Sequence, residues 1–534
     1  MSAPAPAHGS GPGGVLGAAG CCSAQDGLTQ GRPPGFGPPV QAPSRASILL
    51  VVALAGCGPS SNFKVSANDT GSLTVAGRAG STPFIAFVEL SDPSLDNITS
   101  VAYTIQPRAG SVSKPVHVTY SLAALQARGD VSETGTTLTV PIFGLYSDSE
   151  NQATIELQSG SSSPRDIEVQ ITTDGYADPL AIYDHPSIMQ PRAAGSALDF
   201  DFVALKSIRA SVVVIDTDGA VRWVGTGNPS SATIFTANGF VVGSPTSKVL
   251  QRLELDGTIS SASVDSTSIA QFSHNIDPGK LGLLGEFDVT NDLDATVAEI
   301  QPGGAVIHTW EMGDLLSAYM SSQGDDPSTF VRHGVDWFHL NAATYDPSDD
   351  TVIASSRENF VMKVDYTTGD LIWILGDPTK YWYTFPSLRA KALTLAQGGF
   401  YPIGQHATSI TSDGLLMLFN DGSASTNQPA GAPAGDSRDF AVVSAYRIDP
   451  QQMTAEEVWR YEHQPDIDSD FCSSAYQFGQ SLLVNYARAN QGTAVRLLGL
   501  DSNRQVVFDF AYGNPNGCDT SWNAVAVPFD NMQF

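Results

Sequence analysis

The sequence predicts an all-β protein, a small N-terminal β-sandwich followed by a six-bladed β-propeller, and three observations carry that prediction. Fifty glycines and thirty-three prolines punctuate short Val/Ile/Leu/Thr runs, and helix signals are scarce. Between about residues 62 and 185, alternating runs recur at roughly ten-residue spacing, as in a sandwich. From about residue 200 a strand–turn–strand unit repeats, the mark of propeller blades. At 534 residues and 42% hydrophobic content the chain can build two or more domain cores.

Taken in order, residues 1–44 are Gly/Pro/Ala-rich with no core-forming pattern, and "SRASILLVVALAGCGPSS" follows. One Arg, an apolar run too short to span a bilayer, and Leu54-Ala55-Gly56-Cys57 resemble a bacterial lipoprotein signal with its lipobox. Residues 1–56 are therefore expected to be a low-complexity leader and signal peptide, with Cys57 the lipidated residue and 57–68 a linker. Val40 is an alternative start that would give an ordinary short leader. Such a leader implies the envelope of a Gram-negative bacterium. Gly58 after the cysteine points to the outer membrane, with the protein facing the periplasm. In that oxidising compartment Cys472 and Cys518 are the remaining pair, and a disulfide between them is expected.

Residues 69–190 are assigned to the sandwich, through runs such as "PFIAFVEL", "VHVTYSL" and "TTLTVPIFGLY". Nothing in them carries chemistry. Residues 191–534 are assigned to the propeller, through "VVVIDTDGAVRWV", "VLQRLELDGTISS", "VAEIQPGGAVIHTW", "VMKVDYTTGDLIWIL", "SAYRIDPQQMTAEEVWRY" and "VRLLGLDSNRQVVFDF".

The pairs of strands that precede these hairpins hold the chemistry. "FSHNIDPGK", "WFHLNAATY" and "GQHATSI" place His274, His339 and His406 near the start of the first strand in three successive repeats. In a propeller that strand lines the axis, so the three imidazoles point into one channel mouth. His117, His185, His308, His333 and His463 have no such relation. Within "DWFHLNAATYDPSDDTVIASSR" a hairpin centred on Ser348 sets His339 opposite Arg357 and Asn341 opposite Ser355. His339 and Asn341 then share one face.

The net charge of −28, with no basic cluster, excludes a nucleic-acid partner. No Cys/His zinc spacing occurs, and a guanidinium beside three histidines would repel a cation, so no metal is expected. A His/Arg cluster without carboxylates suits an anion instead: the guanidinium forks onto two oxygens and imidazoles donate to others.

The block from Asp336 to Asp377, the "GQH" followed by "FNDG", the later "SRDFAVVSAYRID" with "EVWRYEH", and the upstream "VPIFGLYSDSENQATIEL" resemble the bacterial aryl-sulfate sulfotransferases that do not use 3′-phosphoadenosine 5′-phosphosulfate. The resemblance spans most of residues 70 to 534 and implies the same two-part architecture. It implies transfer of a sulfuryl group from an aryl sulfate to a phenol through a covalent sulfohistidine, without a cofactor. By motif position His406 is the nucleophile, His274, His339 and Arg357 hold sulfuryl oxygens, and Asn341 is the Asn of a His-x-Asn motif. A possible homodimer is also expected.

Two departures stand out: Phe419-Asn420-Asp421-Gly422 replaces the family's frequent Phe-Asp-Asn-Gly, and the disulfide beside the active site of some members has no counterpart in the motif, which leaves Cys472 and Cys518 to staple the last blade. "KYWYTFPSL" offers Tyr381, Trp382 and Tyr383 as a channel-mouth grip on the aryl ring. Two other functions fit the same residues, a non-catalytic envelope propeller lipoprotein and an aryl-sulfate hydrolase.

Overall fold

A computed structural model describes residues 61–534 apart from 69–70, 161–162, 291 and 464–466. The leader and Cys57 lie outside the described residues. The class is all-β, as the turn-rich sequence predicts, with only short helices between strands. Among the described residues no helix is long and apolar enough to cross a membrane.

The N-terminal part is two sheets over one core. A six-stranded sheet runs Lys64–Ala67, Arg165–Thr172, Glu150–Gln158, Ser100–Ile105, Val116–Ser121 and Met532–Gln533, and a three-stranded sheet runs Thr74–Ala79, Ile85–Ser91 and Thr137–Phe143. Alternation sends Val101, Tyr103 and Ile105 inward from one sheet and Val88, Leu90 and Val140 from the other, into one apolar cluster. That cluster continues through Phe202, Val214 and Trp223 into the next sheet.

Three boundaries differ from expectation. Lys64–Ala67, read as linker, pairs with Val169–Thr172. Ser187–Gln190, assigned to the sandwich, is an edge strand on Val506–Gly513 of the last sheet. Met532–Gln533 returns to the sandwich, parallel to Val116–Ser121, where Phe534 stacks on Tyr120 with ring centroids 4.8 Å apart. All three are pairings between distant segments, set by which edge is open rather than by local pattern.

Among the described residues six further sheets follow, each with four antiparallel strands; the fifth also carries the short Thr394–Leu395, parallel to Thr454–Tyr461. In the first, the C-terminal Asn523–Ala526 pairs with Phe202–Lys206 and so supplies one edge strand. The corresponding edge strands of the others are Ala232–Thr236, Ile269–Pro278, Leu340–Asp346, Gln405–Ile410 and Ser474–Phe478. Side-chain hydrogen bonds join some of these edge strands to one another. Thr344 Oγ1 donates to the Thr408 carbonyl at 2.8 Å, and Asn523 Nδ2 donates to the Tyr476 hydroxyl at 2.9 Å. A longer-range bond runs from the first sheet to the third, where Lys206 Nζ donates to Asn275 Oδ1 at 2.8 Å.

Candidate active site

The period-two alternation of a strand breaks in three of these edge strands, those of the third, fourth and fifth sheets. Phe272 faces Phe287 and Ile276 faces Gly285, so Ser273, His274 and Asn275 oppose Glu286 alone. Leu340 faces Ser356 but Ala342 faces Ser355, which leaves Asn341 as an extra residue. His406 faces Phe419 and Ser409 faces Met417, so Ala407 and Thr408 share Leu418. Such bulges re-aim side chains and bend the strand. His339 at φ 51°, Ala407 at φ 53° and the nearby Asp294 at φ 46° lie in the left-handed region. Conformations of that kind cost about 1–3 kcal/mol each and persist where the surroundings fix them.

The expected register is half right. The Arg357 N–H donates to the His339 carbonyl at 3.0 Å, so those residues do lie opposite one another. Asn341 does not face Ser355, because the bulge takes it out of the ladder; its Nδ2 donates instead to the Gln405 carbonyl at 2.9 Å, just before His406. Asn341 therefore positions the strand that carries His406.

The three histidines and Arg357 are brought together. The His274 and His339 rings lie edge to face with centroids 4.8 Å apart. Asp294 stands between them, Oδ1 3.5 Å from His274 Nδ1 and Oδ2 3.6 Å from His339 Nδ1, and Asp336 Oδ2 lies 2.6 Å from His339 Nδ1. Asp421 Oδ2 bridges the other side, 3.7 Å from Arg357 Nε and 3.6 Å from His406 Nδ1. The cluster is thus not free of carboxylates, as the sequence suggested. Asp294, Asp336 and Asp421 sit outside the repeat-equivalent positions.

Arg357 is fully buried. Its Nη1 donates to Glu358 Oε1 at 2.8 Å, its face lies 3.7 Å from the centre of the Phe471 ring, and Nε and Nη2 have no hydrogen-bond partner. Glu358 is held in turn by the backbone N–H groups of Thr426 and Asn427, each at 2.8 Å. The buried Lys380 donates to the carbonyls of Arg357 and Glu358 at 3.3 and 3.2 Å, and burial pushes its ammonium down to about 8. A buried guanidinium with two donors left without hydrogen bonds, one of them 3.7 Å from the Asp421 carboxylate, has the capacity to receive an anion.

His406 is buried, and its Nδ1 lies 2.9 Å from the Gly404 carbonyl, which can only accept. The proton is therefore on Nδ1 and the lone pair on Nε2. Burial, then the Arg357 charge and the two other imidazoles, hold His406 well below the usual histidine range, so it is neutral at neutral pH. Gly404 has φ 60°, and a Cβ there would lie 1.7 Å from Asp421 Oδ1; only glycine lets that carboxylate pack against the chain. Burial raises Asp421 to about 8 against the pull of Arg357.

His274 behaves in the opposite sense. Burial would lower it, but the Asp294 carboxylate outweighs burial and pushes it up to about 9. Asp294 shows the reciprocal effect, with burial opposed by His274 and His339, which bring it down to about 2. One site thus holds a neutral imidazole and a protonated one.

The aromatic grip read in "KYWYTFPSL" is not at the cluster. Trp382 is fully buried in the core of the fourth sheet, its indole N–H donating to the Asp377 carbonyl at 3.0 Å. Tyr381 and Tyr383 pack on the same core, Tyr381 with its hydroxyl on Thr329 at 3.0 Å. The rings beside the cluster are Phe471 on Arg357 and Trp522, whose centroid is 6.0 Å from that of His274. Both come from irregular segments with no repeat signature. Cys472 and Cys518 are bonded as expected, and because Cys472 follows Phe471 the disulfide adjoins the site after all. Of the remaining histidines, His117 bonds Thr104 and His308 packs on Trp310, away from the cluster.

The arylsulfotransferase (ASST) family model matches residues 181–517, and the model of the arylsulfotransferase Ig-like domain matches residues 87–174. The arylsulfate sulfotransferase AssT of Escherichia coli O6:H1 is 25% identical over 220 residues, 36% of this chain and 35% of that protein. The enzyme of the same name from Lelliottia amnigena is 26% identical over 220 residues, with the same coverage of 36% and 35%. The match thus spans about a third of the length of these relatives. Among solved structures, the computationally designed Ika8 protein aligns with TM-score 0.31 and 11% identity, covering 72% of this chain and 95% of that one. BamB from Moraxella catarrhalis aligns with TM-score 0.25 and 13% identity, covering 69% and 96%.

Proposed function

The chain belongs to the arylsulfotransferase family, and from that premise we propose that it transfers a sulfuryl group from an aryl sulfate ester to a phenolic acceptor, with His406 as covalent carrier and no cofactor. One observation carries the reading: a buried, neutral imidazole with its lone pair on Nε2 stands in the same pocket as a buried guanidinium with two unmatched donors.

In the first step His406 Nε2 attacks sulfur, the N–S bond forms and the bond from sulfur to the aryl oxygen breaks. Arg357 Nε and Nη2 take the sulfuryl oxygens, on which charge is spread in the transition state. The phenolate leaves with a proton from His274. The Asp294 carboxylate keeps His274 protonated up to about 9, close to the value of about 10 for a phenol. In the second step an acceptor phenol gives its proton back to His274 while its oxygen attacks sulfur and the N–S bond breaks. Splitting the transfer lets one pocket serve donor and acceptor in turn. The six sheets are read as propeller blades whose inner strands present the histidines at the axis, and the anchor is assigned to a lipid on Cys57 at the outer membrane.

Turnover of 4-nitrophenyl sulfate with and without an added phenol tests the reading. A transferase needs the acceptor for sustained turnover. Phenol release independent of acceptor would make the protein a hydrolase, and no release would make it a scaffold.

A further inference from the structure

The ground on which a metal was excluded from the sequence, a cluster without carboxylates, does not hold in the folded chain. One donor atom from each of His274, Asp294 and His339 lies within 4.8 Å of the other two. The two imidazole–carboxylate contacts, 3.5 and 3.6 Å, are too long for charge-assisted hydrogen bonds. Those run at about 2.7–2.9 Å. His274 Nδ1 has no hydrogen-bond partner although the atom is buried. Each distance is close to an edge of a coordination tetrahedron, but they run to different oxygens of Asp294, so an ion would draw the three donors together from the 4.8 Å that they span. Zinc–nitrogen and zinc–oxygen bonds of about 2.0–2.1 Å place neighbouring ligands about 3.4 Å apart.

We propose that His274, Asp294 and His339 form a binding site for a divalent transition metal of the zinc class, with its fourth position open to solvent or an anion. Two imidazoles and one carboxylate are the donor set of open zinc sites, and they favour zinc or copper over the harder calcium and magnesium, which take all-oxygen shells. The donors come from three places in the chain: the bulge of the third sheet, the start of its third strand Asp292–Ile300, and the segment entering the fourth sheet. Two of them sit on left-handed backbone, Asp294 at φ 46° and His339 at φ 51°, conformations that persist where the surroundings hold them.

Binding displaces the proton that His339 Nδ1 shares with Asp336, 2.6 Å away, to solvent and leaves Asp336 as a second carboxylate beside the ion. Repulsion from Arg357 is offset by the Glu358 carboxylate at 2.8 Å. The side chains of His274 and His339 keep 23% and 18% of their surface exposed, which gives an ion a way in. The metal would occupy the same imidazoles that face the transferred group, so metal and aryl sulfate exclude one another. That consequence rests on the proposed sulfotransfer, whereas the binding itself does not.

The test is a titration of the chelator-treated chain with Co²⁺, read by its visible d–d absorption. The expected result is one equivalent bound with the intense bands of a four- or five-coordinate site, displaced by Zn²⁺. Asp294→Asn, a residue tolerated on left-handed backbone, and His274→Gln should each weaken binding by more than about tenfold. No intense bands in the wild type, or bands unchanged in both variants, would overturn the proposal. Cobalt binding without aryl-sulfate turnover would leave the metal site standing and refute the transferase reading; turnover without cobalt binding would do the reverse.

Discussion

Replacing Arg357 by lysine keeps the charge and removes the fork. The guanidinium uses Nη1 on Glu358 at 2.8 Å and stacks 3.7 Å above Phe471, which leaves Nε and Nη2 for an anion. A lysine ammonium in that buried slot can satisfy Glu358 or reach one sulfuryl oxygen, but it cannot present two parallel donors. A hydrogen bond to a charged partner contributes about 1.5–3 kcal/mol, so losing one of the pair lowers kcat/KM by about 10- to 150-fold. The fold should survive, because Glu358 keeps its bonds from Thr426 and Asn427. The assay is steady-state kcat/KM for 4-nitrophenyl sulfate with phenol in excess, beside a thermal melt of both proteins. Unchanged kinetics in a folded Arg357→Lys variant would place the guanidinium outside the reaction.

The pH dependence follows from the opposed histidines: the donor half-reaction should fall as pH rises through about 9, where His274 loses its proton, and should show no acid limb at the ordinary histidine value of about 6.5, because His406 is already neutral there. A stopped-flow pH profile of phenol release checks both, and an acid limb near the ordinary histidine value in the wild type would contradict it. Phe471→Ala and Trp382→Ala should separate. The first unstacks Arg357 and lowers kcat/KM by several-fold, for a contact of about 0.5–2 kcal/mol. The second empties a core and costs about 3–5 kcal/mol of stability. Kinetics and denaturant melts of both variants decide, and the reverse pattern would restore the aromatic grip to Trp382. Cys57→Ser should move the protein from the membrane to the soluble fraction of a bacterial host; retention on the membrane would refute the lipid anchor.

The parts of the fold that were legible in the sequence are those that repeat locally. Alternation in runs such as Ser100–Ile105 and the turn residues between strands specify β-structure over a few residues each. Pairings of distant ends, such as Met532–Gln533 on Val116–Ser121, depend on open edges that no local pattern encodes. The same division holds in the site. His274, His339 and His406 were found because they occupy equivalent places in successive repeats, and Arg357 because a hairpin register carries over one step. Asn341 was misplaced because a bulge inserts one residue and shifts the ladder. Asp294 and Asp336 were missed because bends and irregular segments bring them in, and Phe471 and Trp522 likewise fall outside the repeats. Trp382 was misread because an aromatic-rich stretch looks the same whether it lines a mouth or fills a core.

The most direct test of the account is the fate of the sulfuryl group when enzyme and donor are mixed without acceptor. The account predicts a burst of about one equivalent of phenol and a base-stable, acid-labile sulfuryl label on the peptide containing "GQHATS". Both should be lost in His406→Asn, while in His274→Asn the burst is slower and the label does not move. A label on another histidine, or sustained transfer to phenol with no covalent intermediate on His406, would contradict it.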